Sequence, residues 1–160
     1  MAKKYWLMKA ESDVYPIEQW KKEKVTYWDG VRNYTARNFM RDQMKIGDGM
    51  FFYYSGGKPS GIMGVGEIAK EGYPDFTAFD SKDVHYDPKS DPQKPSWYMV
   101  DVKFLRACRQ IIPLDFLKKV PGLKNMTLFK QSRLSVQPVT EAEWKIINRL
   151  IDSQEKNQAG

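Results

Sequence analysis

Apolar and polar positions along the chain change period several times, and the changes mark the elements. Tyr5 to Lys9 reads YWLMK, an apolar and aromatic run closed by a polar residue, which predicts a short strand. In SDVYPIEQWKKEK, Pro16 suits a first helical position, where its missing N–H costs nothing. Ile17 and Trp20 then share one face of a helix that stops near Lys24, and Val25 to Trp28 is extended. Asn33 predicts the N-cap of a helix running to about Met44. Its apolar side carries Ala36, Phe39, Met40 and Gln43, while Arg37 and Arg41 lie on another side.

Gly47-Asp48-Gly49 marks a turn, and MFFYYS and SGIMGVGEIAKEGYP predict a hairpin joined by the looser loop GGKPS. Gly64 and Gly66 inside the second strand predict a bulge or a close backbone approach. From Pro74 to Pro95 regularity disappears into a long loop of prolines, aspartates and lysines. Trp97 to Ile112 predicts the longest strand, with Tyr98, Val100, Val102 and Phe104 on one face and Met99, Asp101, Lys103 and Leu105 on the other. Pro113 opens a short helix, LSVQPV predicts a strand, and Thr140 with Glu143 forms a capping box. The helix it starts carries Trp144, Ile147, Leu150 and Ile151 as a stripe, and residues 153–160 are expected to be a frayed, disordered tail. Strands and helices intermix without strict alternation, so residues 1–152 read as a single α+β domain around a curved antiparallel sheet or small barrel.

Composition narrows the function. The chain has 160 residues, a formal net charge of +6 and 14 % aromatic residues, a combination that suits stacking on bases and attraction to phosphates. No apolar run approaches a membrane span and the N-terminal residues carry no cleavage-site pattern, so a cytoplasmic protein, nuclear in a eukaryote, is expected. Cys108 is the single cysteine and reads as a small buried hydrophobe in a strand; His85 is the single histidine. One of each excludes an intrachain disulfide and the paired-histidine metal sites, and no metal or cofactor is expected.

The constellations of catalysis are missing. A serine or cysteine nucleophile needs a base, and only His85, in a polar loop, is available. GGKPSG lacks the phosphate-loop spacing, and GIMGVG has the wrong intervals for a dinucleotide fingerprint. Glu11, Asp29 and Glu67 are the carboxylates left as candidates for an enzyme acting on a nucleic acid. The positive signal is TYWDGVRNYTARNFMR, which sets aromatic faces, amides and arginines side by side around a glycine. Aromatic faces stack a planar heterocycle, amides read its edge, and arginines at the rim meet phosphates. A binder of a small planar metabolite is the other alternative to an enzyme.

The segments YWLMKAESD, YWDGVRNYTARNFMRDQMKIGD, MFFYYS, GIMGVGEI, YPD, HYDPKSDP, WYMVDVKF and RLSVQPVT, in this order, resemble an EVE domain from about Lys4 to Ile151. The resemblance implies a PUA-like fold, a small mixed-strand barrel with flanking helices, related to the YTH and ASCH domains. It also implies a non-catalytic, monomeric binder of DNA or RNA that recognises a modified base, such as methylated or hydroxymethylated cytosine, in an aromatic-lined pocket.

By position, Trp28, Val31, Arg32, Asn33, Tyr34 and Asn38 match the loop-helix motif, Tyr53 and Ser55 the FFYxS strand end, Trp6, Lys9 and Ser12 the first segment, and Arg133, Leu134 and Ser135 the RLS element. The family more often has histidine where Tyr54 stands, and Ser-Glu-Pro where Ala10-Glu11-Ser12 stands. The expected base pocket is therefore Trp28, Val31, Asn33, Tyr34, Tyr53, Ser55, Trp6 and Ser135. Trp28 is the stacking residue, and Asn33 caps the helix, reads a base edge, or does both. The expected phosphate rim is Lys9, Arg32, Arg37, Lys58 and Arg133, the last with the alternative of pairing with Glu11 or Asp29.

Overall fold

The computed structural model describes residues 3–159, with side chains described for 3–155. Strands β1 (Tyr5–Glu11), β2 (Val25–Trp28), β3 (Gly49–Ser55), β4 (Gly61–Pro74), β5 (Tyr98–Pro113) and β6 (Val136–Val139) form one sheet. Five helices flank it: α1 (Ile17–Glu23), α2 (Tyr34–Asn38), α3 (Leu114–Leu117), α4 (Thr127–Lys130) and α5 (Glu141–Ala159). Its order is β2-β5-β4-β3-β1-β6, mixed, with β1 and β3 parallel and the other neighbours antiparallel. Both faces are covered, so consecutive residues of β1 and β3 feed two cores. Trp6, Met8 and Phe52 join Trp20 of α1, while Leu7 and Phe51 join Ile147 and Ile151 of α5.

The capping box starts α5 as expected, with Glu143 N–H donating to Thr140 Oγ1 (3.1 Å) and Thr140 N–H to Glu143 Oε1 (2.9 Å). Backbone helix continues through Ala159 over the segment expected to be a tail; the side chains of 156–159 and residue 160 lie outside the described residues. The helix expected from Asn33 to Met44 is interrupted. After Asn38 it widens into a π-helical turn, Phe39–Gln43, closed by Met44 N–H on Phe39 O (2.9 Å). Gly72 of β4 lies against that turn: a Cβ there would stand 2.5 Å from Met40 O.

The expected closed barrel is not formed. The edge strand β2 pairs with β5 alone and the other edge strand, β6, with β1 alone. Both edges are four residues long, Pro138 removes a backbone donor from β6, and the chain leaves the sheet at Asp29-Gly30 directly after β2. The sheet is nonetheless curled, because register shifts at Ile62/Gly64, Val65/Gly66, Ile68/Lys70 and Lys70/Tyr73 bend β4 against β5.

The β4 glycines serve the seating of α1 rather than a turn. A Cβ on Gly64 would meet Ile17 Cδ1 at 2.4 Å, and one on Gly66 would meet Lys103 O at 2.4 Å and the Trp20 ring at 2.5 Å. The Trp20 indole lies flat on that glycine surface and donates from Nε1 to Val102 O (3.2 Å). Gly66→Ala is expected to destabilise by overpacking, by about 1–3 kcal/mol. Urea unfolding checks this, with a lower midpoint and an unchanged m-value expected.

Candidate nucleic-acid interface

The gap between the two sheet edges is an open hollow of about 750 Å³. In a flat sheet β2 and β1, four strand spacings apart in this order, would stand about 19 Å apart. The curl brings both to one hollow: Thr26, Tyr27 and Trp28 line it from β2, and Lys9, Ala10 and Glu11 from β1. Ser55 enters from the end of β3, Gln19 and Glu23 from α1, and Ser132, Arg133 and Ser135 from the loop before β6. The seam that fails to close is thus the candidate site.

The loop after β2 is held by one carboxylate. Asp75, fully buried, accepts from Gly30 N–H (2.9 Å), Arg32 Nη1 (3.0 Å) and Thr77 N–H (2.9 Å), and from the Thr77 hydroxyl. Arg32 carries the connection further, donating from Nη2 to His85 O (2.6 Å). Gly30, at φ +79°, packs so closely on His85 that a Cβ would stand 2.5 Å from Nε2. Burial pushes the Asp75 carboxyl up, but hydrogen bonds from Thr77, Gly30 and Arg32 outweigh it and hold the group below its ordinary value. His85 Nδ1 lies 3.4 Å from both Asp29 Oδ2 and Asp83 Oδ1. Burial raises the Asp29 carboxyl, opposed by the adjacent His85. Among the described residues these three form the one cluster with metal-type donors, and Asp83 Oδ1 is already engaged by His85 N–H (2.8 Å).

The expected site residues divide into those that meet at the hollow and those that do not. Trp28, Val31, Ser55, Ser135, Lys9 and Arg133 line it. Trp28 is 8 % exposed, packed edge-to-face with Phe52 at 5.7 Å, and gives its remaining surface to the hollow. Tyr53 is 3 % exposed and belongs to the core under α5. It shares strand parity with Ser55, but the hollow lies at the end of β3, beyond its reach. Trp6 is 1 % exposed and donates from Nε1 to the buried Asp48 (3.0 Å). Asn33 Oδ1 caps α2 by accepting from Ala36 N–H (2.9 Å) and stands in an adjoining cleft. Tyr34 is exposed but stacks on Trp97 at 4.9 Å and lies under the Arg37 guanidinium. Tyr54, at the position where the family favours histidine, faces the first core and accepts from Ile17 N–H (2.7 Å).

Several of the expected rim cations are engaged internally. Arg32 is spent on Asp75 and His85 O, Arg37 on Ser96 O (2.7 Å), and Lys9 Nζ on Ser132 O (2.6 Å). Lys58 stands in the β3–β4 loop outside the hollow. Arg133 makes no ion pair with Glu11 or Asp29 and no other hydrogen bond among the described residues.

Tyr27 lies in the aromatic run that the sequence singled out, though outside the expected pocket set; the sequence pattern did not point to Tyr15, the other ring at the hollow, or to Val14 and Val84, apolar residues exposed at its rim. Of the three carboxylates considered for catalysis, Glu11 and Asp29 line the hollow and Glu67 does not. Cys108 is buried under α5, where burial pushes its thiol up to about 12, far from a thiolate at neutral pH.

The EVE domain family model matches residues 4–150. Thymocyte nuclear protein 1 of chicken is 44 % identical over 162 residues, a match spanning 89 % of this chain and 66 % of that protein. A hypothetical protein from Leishmania major has a solved structure that superposes with a TM-score of 0.93 at 43 % identity, covering 96 % of this chain and 98 % of that one. The human THYN1 protein, solved in complex with 5-methylcytosine-containing DNA, superposes with a TM-score of 0.85 at 44 % identity, covering 92 % of this chain and 97 % of that one.

Asp75→Ala is expected to cost about 3 kcal/mol, because it removes the counter-charge of Arg32 and the acceptor of the Gly30 N–H. The native carboxyl titrates below its unfolded value, so its stabilisation is complete above the ordinary carboxylate range and is lost as pH falls through the native value. Thermal melts between about pH 7 and pH 3 check the sign: the difference in Tm between wild type and Asp75→Asn should shrink as the medium is acidified.

Proposed function

The chain belongs to the EVE domain family, and we propose that it reads a modified base of a nucleic acid, with the base turned out of its strand into the hollow at the open seam. The observation that carries this reading is the composition of the wall. Three aromatic residues, Tyr15, Tyr27 and Trp28, stand with Ser55, Ser135 and Thr26 around a hollow open to solvent. Rings contribute stacking of about 1–3 kcal/mol per base, and hydroxyls and carboxylates hydrogen-bond the base edge. An added methyl group finds apolar surface in Val31 and at the Val14 and Val84 rim. The complex of human THYN1 with 5-methylcytosine-containing DNA supports the same ligand class here.

Carboxylates decide which bases are accepted. Glu11, Glu23 and Asp29 are acceptors when ionised, so they favour a base that presents an exocyclic amine, as cytosine and adenine do, over one that presents carbonyls alone. We read the function as recognition rather than turnover, the role in keeping with the human THYN1 complex with 5-methylcytosine-containing DNA. The vertebrate relatives are named nuclear proteins, and a nuclear setting is the corresponding proposal if the source is a eukaryote.

Titration of oligonucleotides that differ only in 5-methylation of one cytosine tests the reading. Wild type should prefer the methylated strand. Tyr27→Ala, a half-exposed position whose loss leaves the core intact, should weaken binding by about 5- to 150-fold, the equivalent of one stacked ring. Trp28→Ala should weaken it further, with circular dichroism verifying that the variant is folded. Equal affinity for the two strands, or a Tyr27→Ala protein that binds like wild type, contradicts the reading.

A further inference from the structure

Beside the hollow, and sharing Ser132 and Arg133 with it, is a second cleft of about 370 Å³, lined by Asn33, Thr35, Lys130, Gln131, Ser132, Arg133 and Leu134. We propose that this cleft is the phosphate subsite of the interface, holding the phosphodiester next to the nucleotide whose base enters the hollow. The assignment rests on the base-reading function proposed above and adds where the anion goes.

Charge separates the two cavities. Three carboxylates, Glu11, Glu23 and Asp29, line the hollow against two cations, Lys9 and Arg133, so its wall suits a phosphate less well than a cleft whose charged residues are all cations. The cleft has two cations, Lys130 and Arg133, and no carboxylate in its lining. Both cations are exposed, and neither is engaged in a hydrogen bond or ion pair among the described residues. Arg32, Arg37 and Lys9, by contrast, are already engaged with protein acceptors.

The wall between the cavities is built to present donors. In the turn 131–134 three carbonyls are already taken by donors: Gln131 O and Leu134 O accept from the Gln137 side chain (3.0 and 2.8 Å), and Ser132 O accepts from Lys9 Nζ (2.6 Å). Gln137 is itself buried, so the turn is held from beneath. Asn33 contributes on the opposite side: its Oδ1 is taken by Ala36 N–H, which fixes the amide and leaves Nδ2 as a donor. With Thr35 and Ser132 hydroxyls beside two cations, the cleft matches the oxygens of a phosphodiester in charge and in hydrogen-bond sense. Sharing Arg133 and Ser132, it lies one wall away from the base, as the backbone of an extruded nucleotide must.

A double-substitution cycle tests the subsite without disturbing the fold, since Lys130 is a surface residue. The probes are 5-methylcytosine strands with either a natural phosphodiester or a neutral methylphosphonate on the 5′ or the 3′ side of the modified nucleotide. Wild type should bind one of the neutral strands about fivefold less tightly than the natural strand. Lys130→Gln should bind the natural strand about fivefold less tightly, with the salt slope reduced by about 0.7–0.9. The neutral strand should cost Lys130→Gln little more. Its preference for methylated over unmethylated strand should persist. If Lys130→Gln binds the natural strand like wild type while Tyr27→Ala is still impaired, the phosphate lies elsewhere and this assignment is overturned. It is overturned equally if the two losses simply add. If wild type shows no preference for the methylated strand, the base-reading function falls, and this subsite with it.

Discussion

One buried carboxylate organises the working end of this protein. Asp75, itself fully buried, gathers the Gly30 N–H, the partly exposed Arg32 guanidinium and both Thr77 donors, which joins the segment after β2 to the long loop between β4 and β5. Each link is needed for a different reason. Gly30 provides the left-handed turn and the room for His85; Arg32 neutralises the buried charge and reaches on to the His85 carbonyl. Trp28 is placed by the β2–β5 ladder and by Phe52; the Asp75 anchor holds the segment that follows it, Gly30 to Arg32, against the long loop. A buried ion pair of this kind is costly to desolvate, and its return here is a fixed geometry for two loops rather than raw stability.

The second constraint is the curl without closure. Bulged pairing of β4 with β5 curls the sheet so that β2 and the end of β1 line one hollow, while the short edge strands β2 and β6 each pair on one side only. A closed barrel of six strands would fill its interior with side chains and bury its edges. The open seam leaves instead a cavity walled by strand ends and loops, where side chains vary without disturbing the ladder. One side of the wall gives rings and acceptors for a base; its neighbour gives donors and positive charge for a phosphate. In the reading proposed above, a carboxylate-bearing hollow on one side of the Ser132–Arg133 turn and a cleft without carboxylates on the other give one strand a defined path.

The elements with a local cause were legible in the sequence. The Thr140/Glu143 capping box, Pro16 before α1, the Asn33 cap, the Gly64 and Gly66 close approach and the GGKPS hairpin all depend on residues near one another in the chain, and all are present. Barrel closure is a property of strand order and edge length, which no local pattern encodes, and there the expectation failed. The π-helical turn depends on Gly72, some thirty residues away from it. In the site, Trp28, Val31, Ser55, Ser135, Lys9 and Arg133 come together at the hollow. Tyr53 and Trp6 carry the right chemistry but sit too deep, and Arg32 and Arg37 of the TYWDGVRNYTARNFMR run are engaged with acceptors in neighbouring loops. Asp75 stood in view within the YPD element, yet its partners, Gly30 and Arg32, are more than forty positions distant, so no spacing rule announced it.

The central claim is that the open seam of the sheet is where a base is received. A crystal structure of this protein with a short strand containing one 5-methylcytosine tests it most directly. The account predicts the methylated ring inside the hollow, against Trp28 and Tyr27, with its edge toward Ser55, Ser135 or Asp29. A strand that lies across another face, with the hollow empty and its own base still stacked, would contradict it.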